Sequence, residues 1–206
     1  LLMKIYTLPN GPFMVNSYLV VNGKKAFILD PGSGIQSILA KAESEKLEIE
    51  AIIATHGHID HIDGVGRVKN KFKAPFYANE LDMDLFKSVK MQARMFGVSD
   101  PGSVIPDRNL PLSGEIKIAG FTLELYHTPG HSKGSVSIKI DDVLFSGDTL
   151  FNFSIGRSDL PGGNHMELIS SIKNKILIMP DNTRVLSGHG PETTVGREKK
   201  MNSFLL

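Results

Sequence analysis

No cysteine occurs in this chain of 206 residues, which excludes disulfides, thiolate metal ligands and a thiol nucleophile together. Without the mark of an oxidising compartment, the expected location is cytoplasmic. No apolar run approaches the roughly 18 residues of a membrane helix, and no charged-then-apolar leader is seen, so no membrane partner is expected. An excess of one charge is also missing: 23 Lys and Arg stand against 22 Asp and Glu, a net charge of +1. No basic stripe marks a nucleic-acid partner, and the run Glu198-Lys199-Lys200 is too short to count. Linkers, low-complexity tracts and sequence repeats are absent too. One domain over residues 1–206 is therefore expected, large enough to bury roughly 70% of its unfolded surface.

What the chain does have is His56-Gly57-His58-Ile59-Asp60-His61, three imidazoles and a carboxylate within six residues. Ala51 to Ala54 before it is a short apolar run rich in β-branched side chains, which predicts a buried strand. Offsets of two, four and five residues share no helical face, so the ligands are expected on the loop leaving that strand, with Gly57 letting the backbone turn. Nitrogen and oxygen donors suit Zn, Fe or Mn.

Around this array the pattern alternates. Residues 3 to 8, 17 to 21 and 26 to 29 read as strands, the last two joined at Asn22-Gly23. A helix follows over 35 to 46, and another runs through Val65 and Val68 to Phe72. A strand is expected at 74 to 78. The second half repeats the order, with strands at 116–118, 121–126, 135–140 and 143–146, a helix over 166–178 and a last strand at 183–186. Strands, then helix, then strand in both halves argues an α/β fold: two sheets face to face with helices outside. Residues 79 to 110 interrupt the pattern. Leu81, Leu85, Val89 and Phe96, with Met83, Met91 and Met95, give an amphipathic helical stretch that suits either core packing or an active-site flap.

Other candidates share one setting, the carboxyl end of a strand beside Gly or Pro: Asp30, His131, Asp148 and His189. Loops at one sheet edge can bring such residues together. His127 and His165 fall outside this setting and are expected to be structural or solvated. From Asp30-Pro31-Gly32 through the His56–His61 motif, His131 and Asp148 to His189, the sequence resembles the metallo-β-lactamase superfamily, an αββα sandwich of two mixed sheets. The resemblance implies two divalent ions per chain, with zinc expected first. His56, His58 and His131 would hold one ion, Asp60, His61 and His189 the other, and Asp148 would bridge them, with Asp30 supporting from behind. It makes Asp60 and Asp148 the catalytic carboxylates.

Gly147-Asp148-Thr149-Leu150-Phe151, then Gly156-Arg157, and Gly188-His189-Gly190-Pro191-Glu192-Thr193-Thr194 resemble the short bacterial members of the glyoxalase II-like, hydroxyacylglutathione hydrolase-like branch. That resemblance implies thioester hydrolysis by a metal-bridging hydroxide, a small-molecule thioester substrate, and Arg157 on the substrate. Two departures weaken the expected preference for glutathione: no helical C-terminal domain with basic residues follows His189, and Ser158-Asp159 replaces aromatic and lysine contacts beside Arg157. A thiolate leaves without an obligatory acid, so thioesters suit a chain with no evident proton donor. An amine leaving group would want one, which disfavours a β-lactam. The alternative is a persulfide dioxygenase with mononuclear iron. Flavodiiron chemistry would want Glu where His58 stands, and RNA processing would want basic clamps.

Overall fold

The computed structural model describes residues 3–206, and Leu1 and Leu2 lie outside the described residues. The chain opens with β1 (Lys4–Asn10), β2 (Val15–Asn22) and β3 (Lys25–Leu29), two antiparallel pairings, with Gly23 at a positive φ in the second turn. Next come α1 (Gln36–Ser44), β4 (Glu48–Ile53), α2 (Ile59–Ile62), α3 (Val65–Phe72) and β5 (Phe76–Ala78). A 3₁₀ turn (Glu80–Asp82) leads into α4 (Met83–Lys87), α5 (Val89–Phe96) and the short β6 (Arg108–Asn109). Strands β3 to β6 run parallel, completing a six-stranded mixed sheet in chain order.

The second sheet contains β7 (Gly114–Ile118), β8 (Phe121–His127), β9 (Val136–Ile140), β10 (Val143–Gly147), β13 (Arg184–Ser187) and β14 (Thr193–Thr194). Its order is β14-β13-β10-β9-β8-β7, with β10 and β13 parallel. Between β10 and β13 lie a small hairpin, β11 (Leu150–Phe151) with β12 (Ser154–Ile155), and the helix α6 (His165–Ser171). The helix expected over 166–178 is this α6, continued by a single π-helical stretch at Ile172–Ile176. The chain then closes with α7 (Val195–Met201). That helix had no sequence signal, because its inward face offers Val195 and the buried charged residue Glu198 rather than an apolar stripe.

Strand alternation divides the interior into three apolar layers. Tyr18, Val20, Phe27, Leu29 and Ile53 meet Leu123, Ile138, Phe145 and Leu186 between the sheets. Leu19, Ile28 and Ile52 point the other way, onto Ile38, Val68 and Phe86. Leu144 and Val185 back onto Leu168, Ile172 and Val195. β2, β3 and β4 are buried on both faces, which is why they read as continuous apolar runs. The result is an αββα sandwich.

Two sequence expectations change. The array is not wholly a loop: His56 lies in a bend and His58 on extended backbone, but Ile59–Ile62 winds one helical turn that carries Asp60 and His61. Burial of Ile59 and Ile62, three apart, pins that turn inward. In residues 79 to 110, α5 buries Val89 and Ala93, four apart, which forces Met91 and Met95 outward to 59% and 62% exposure. Phe96 is the side chain of this segment that reaches the cleft described below.

Candidate metal centre

Strands β3 and β4 in one sheet, and β8, β10 and β13 in the other, all end at the same rim of the sandwich. The rim is stitched across the two sheets by backbone bonds: Val136 N–H donates to Thr55 O at 2.9 Å, and Asn16 N–H to Gly188 O at 2.7 Å. Here the loop after β4 delivers His56 and His58, α2 delivers Asp60 and His61, and the loops after β8, β10 and β13 deliver His131, Asp148 and His189.

The structure brings all seven together. His131 Nε2 lies 2.8 Å from His58 Nδ1 and 3.1 Å from His56 Nε2. His189 Nε2 lies 3.2 Å from Asp60 Oδ2, and His61 Nε2 3.7 Å from the same oxygen. Asp148 sits between: Oδ1 is 3.3 Å from His61 Nε2, while Oδ2 is 3.6 Å from His131 Nε2 and 3.5 Å from His189 Nε2. The ligand atoms form three overlapping groups, His56–His58–His131, His56–His61–Asp148 and Asp60–His61–His189, each within 4.8 Å.

These groups fit divalent ions. Nitrogens held tetrahedrally at about 2.0–2.1 Å from an ion sit roughly 3.3 Å apart, close to the spacing found. His61 Nε2 and Asp148 Oδ1 are buried, face each other, and make no well-directed hydrogen bond. Buried polar atoms left this way are costly unless something else joins them. Gly188 preserves the space: a Cβ there would stand 2.0 Å from Asp148 Oδ1 and 2.7 Å from His61 Cε1.

Electrostatics split the cluster. Burial, followed by the neighbouring His61, His131 and His58, drives His56 well below the ordinary histidine range. His58 falls to about 3, again chiefly by burial. Burial also opposes charge on His61, yet Asp148, Asp60 and Asp30 outweigh it and raise His61 well above the ordinary range. His189 rises to about 9: burial opposes, and hydrogen bonds to Asp148 and Asp60 prevail. Burial works against charge on Asp148, yet neighbouring His61 and the bond from His189 outweigh it and hold the carboxyl well below its usual range.

Support comes from behind. Asp30 Oδ1 accepts from Thr55 N–H at 2.7 Å and Oδ2 from the Thr55 hydroxyl at 2.8 Å, leaving Oδ2 3.1 Å from His61 Nδ1. His189 Nδ1 donates to Phe13 O at 3.0 Å, and its loop is anchored by Asn16 and Tyr18, which both donate to Ser187 O. His131 Nδ1 donates to Arg157 O at 2.7 Å, so the arginine backbone, not its side chain, braces a candidate ligand. His127 Nε2 is tied to Lys133 O at 2.9 Å and His165 opens α6, both away from the cluster.

One residue escaped the sequence reading altogether. Asp82, 2% exposed, accepts from Gly57 N–H (2.9 Å), the Ser132 hydroxyl (2.7 Å) and Gly134 N–H (2.7 Å). It locks the His56–His58 loop to the His131 loop. Gly57 is therefore needed for closeness rather than for a turn: a Cβ would come within 2.9 Å of Leu85 and 3.1 Å of Asp82. No motif surrounds Asp82, and only its tertiary partners reveal the role.

Above the cluster opens a cleft of about 370 Å³, with His58, Asp60, His131, Asp148 and His189 on its floor. Its walls are largely apolar, and Phe13 and Phe96 meet edge to face in them with centroids 5.5 Å apart.

Residues 10–189 match the metallo-beta-lactamase superfamily, and the chain belongs to it. It is 38% identical to hydroxyacylglutathione hydrolase GloC of Haemophilus influenzae, over 98% of each chain. Among solved structures it is similar to the BLEG-1 B3 metallo-beta-lactamase (TM-score 0.92, 40% identity, 98% of this chain and 99% of that one). It is likewise similar to TTHA1623 in a di-iron-bound form (TM-score 0.89, 36% identity, 97% and 100% covered). Among the described residues no helix is long and apolar enough to cross a membrane.

Proposed function

We propose that this protein is a dinuclear metal-dependent hydrolase of thioesters, working as one metallo-β-lactamase-like domain on a small-molecule substrate in the cytoplasm. The observation that carries this reading is the pair of ligand groups meeting at Asp148 on the floor of an apolar cleft. His56, His58 and His131 would hold one ion and Asp60, His61 and His189 the other, with Asp148 placed between the two groups. Support for two ions comes from the di-iron form of TTHA1623, and support for a thioester from the likeness to GloC. Zinc is the first expectation, with iron or manganese compatible with the same donors.

When bound, two divalent ions would supply a water of lowered pKa and a Lewis acid for the carbonyl. The chain's own residues do the rest. Asp60, with 17% of its side chain exposed on the cleft floor, takes the proton from the attacking water on a carboxylate oxygen. Asp30 and Asp82 keep the imidazoles in register, and the cleft walls hold the acyl group over the floor, with Phe96 bringing residues 79–110 into that wall. The thiol departs as thiolate, so no protein acid is required.

Metal analysis beside three assays tests the reading: thioester hydrolysis, β-lactam hydrolysis and sulfur-dependent oxygen uptake. Two ions per chain with thioester cleavage is the expected result. One tightly held iron with oxygen uptake and no hydrolysis would replace it with the dioxygenase, and β-lactam cleavage alone would replace it with a lactamase.

A further inference from the structure

The cleft walls carry Phe13, Ile59, Phe96, Phe151, Ile155 and Leu160. Against these apolar groups stands one Lys or Arg among the lining residues, Arg157. Its guanidinium is already engaged: Nε donates to Asp159 Oδ1 and Nη2 to Asp159 Oδ2, both at 2.8 Å. That is the parallel two-bond fork with which arginine holds any carboxylate. The Arg157 carbonyl accepts from His131 Nδ1, which ties the backbone at this position to the cluster and keeps the Arg157–Asp159 pair at the cleft. A substrate carboxylate arriving here finds the Nε–Nη2 edge of Arg157 taken, has only the Nη1 end of the guanidinium to bind, and meets the negative charge of Asp159 beside it.

We propose that the cleft selects thioesters whose acyl and thiol parts are apolar and uncharged, and that Asp159 enforces this by occupying Arg157. The proposal rests on the thioester reading above and adds the substrate class. Asp159 is a specificity residue: it touches no reacting atom, and its effect is confined to anionic ligands. Both partners are exposed, with side chains 55% and 69% accessible, so the effect is of the modest size typical of surface pairs.

The test compares two non-hydrolysable ligands on the metal-reconstituted protein by equilibrium titration. S-hexylglutathione carries two carboxylates, whereas S-hexyl-N-acetylcysteamine is uncharged and has the same hexyl group. Wild type is expected to bind the uncharged probe more tightly. Asp159→Ala is expected to move the ratio of dissociation constants about 3-fold toward the glutathione probe. Adding Arg157→Gln to that variant should erase the gain. A wild-type preference for S-hexylglutathione, or an unchanged ratio in Asp159→Ala, overturns the proposal. Each readout is a ratio within one protein, so a folding defect that weakens both ligands equally does not mimic the effect. Matching S-acyl thioesters are assayed alongside. If the ratio moves as expected while neither thioester is cleaved, charge selection stands and the thioester reading falls.

Discussion

His56 and His61 are both fully buried, their rings only 4.2 Å apart, yet their proton affinities are pushed in opposite directions. His56 has imidazoles on every side, and burial followed by repulsion from His61, His131 and His58 disfavours charge on it. His61 belongs to a group flanked by Asp60, Asp148 and Asp30, where three carboxylates overcome the same burial. Desolvation alone therefore does not decide the charge of a buried histidine; the sign of its neighbours does. The two groups also differ in access. His56 and His131 are 1% and 2% exposed, whereas His189 keeps 27% of its side chain open to the cleft. One group is a set of three nearly inaccessible imidazoles, and the other is a more open, carboxylate-rich set.

The most damaging way to break that comparison is Asp148→Ala, since Asp148 is the residue facing both groups. Hydrolysis should fall by at least about 100-fold and metal content should drop at both groups. Two retained ions with normal turnover would show that the halves do not share this carboxylate. A finer cut pairs His58→Ala with His189→Ala. Each should lose one ion, and the ion left in His189→Ala, held by the closed group, should resist a chelator longer than the ion left in His58→Ala. Equal release times would remove the difference in access.

Asp30→Asn sharpens the contrast from behind the open group. The substitution keeps the shape but replaces one oxygen that faces both the Thr55 hydroxyl and His61 Nδ1. Such supports usually carry about 10-fold or more in metal affinity. A loss of that size is expected for the second ion only, measured by competitive titration, with the ion on His56, His58 and His131 unaffected.

How much of this was legible in the chain depended on whether a residue's role was local. His56, His58, Asp60 and His61 stand out because they crowd into one short segment. His131, Asp148 and His189 each follow an apolar strand beside glycine, and the parallel strands bring those ends to one rim. Asp30 could be placed for the same reason. The helical turn at Ile59–Ile62 was hidden, because its pattern is too short for a period and the ligand spacing argued against it. The outward-facing Met91 and Met95 misled in the other direction: methionine suits a flexible wall, but α5 had already committed Val89 and Ala93 to the core. Tyr18, Asn16 and Gln92 look like ordinary strand or helix residues until the fold sets them against Ser187, Gly190 and the Ile59 N–H.

Asp82 is the counterpart of Asp30 for the closed group, and it yields the smallest metal effect expected here. Burial pushes its carboxyl upward even though Ser132, Gly134 and Gly57 all donate to it. It touches no imidazole; it grips the backbone on either side of the His56, His58 and His131 positions instead. Asp82→Asn retains the volume but sets an amide N–H₂ against groups that themselves donate, leaving at least one buried donor unmatched. A cost of about 2 kcal/mol in unfolding free energy follows, readable as a shifted denaturant midpoint. Metal affinity should change less than in Asp30→Asn, and at the His56, His58 and His131 group alone, because the loops still carry their ligands when one anchor slackens. If instead Asp82→Asn strips the second ion while leaving stability intact, the two carboxylates are not braces of separate groups, and the division of the floor into halves fails.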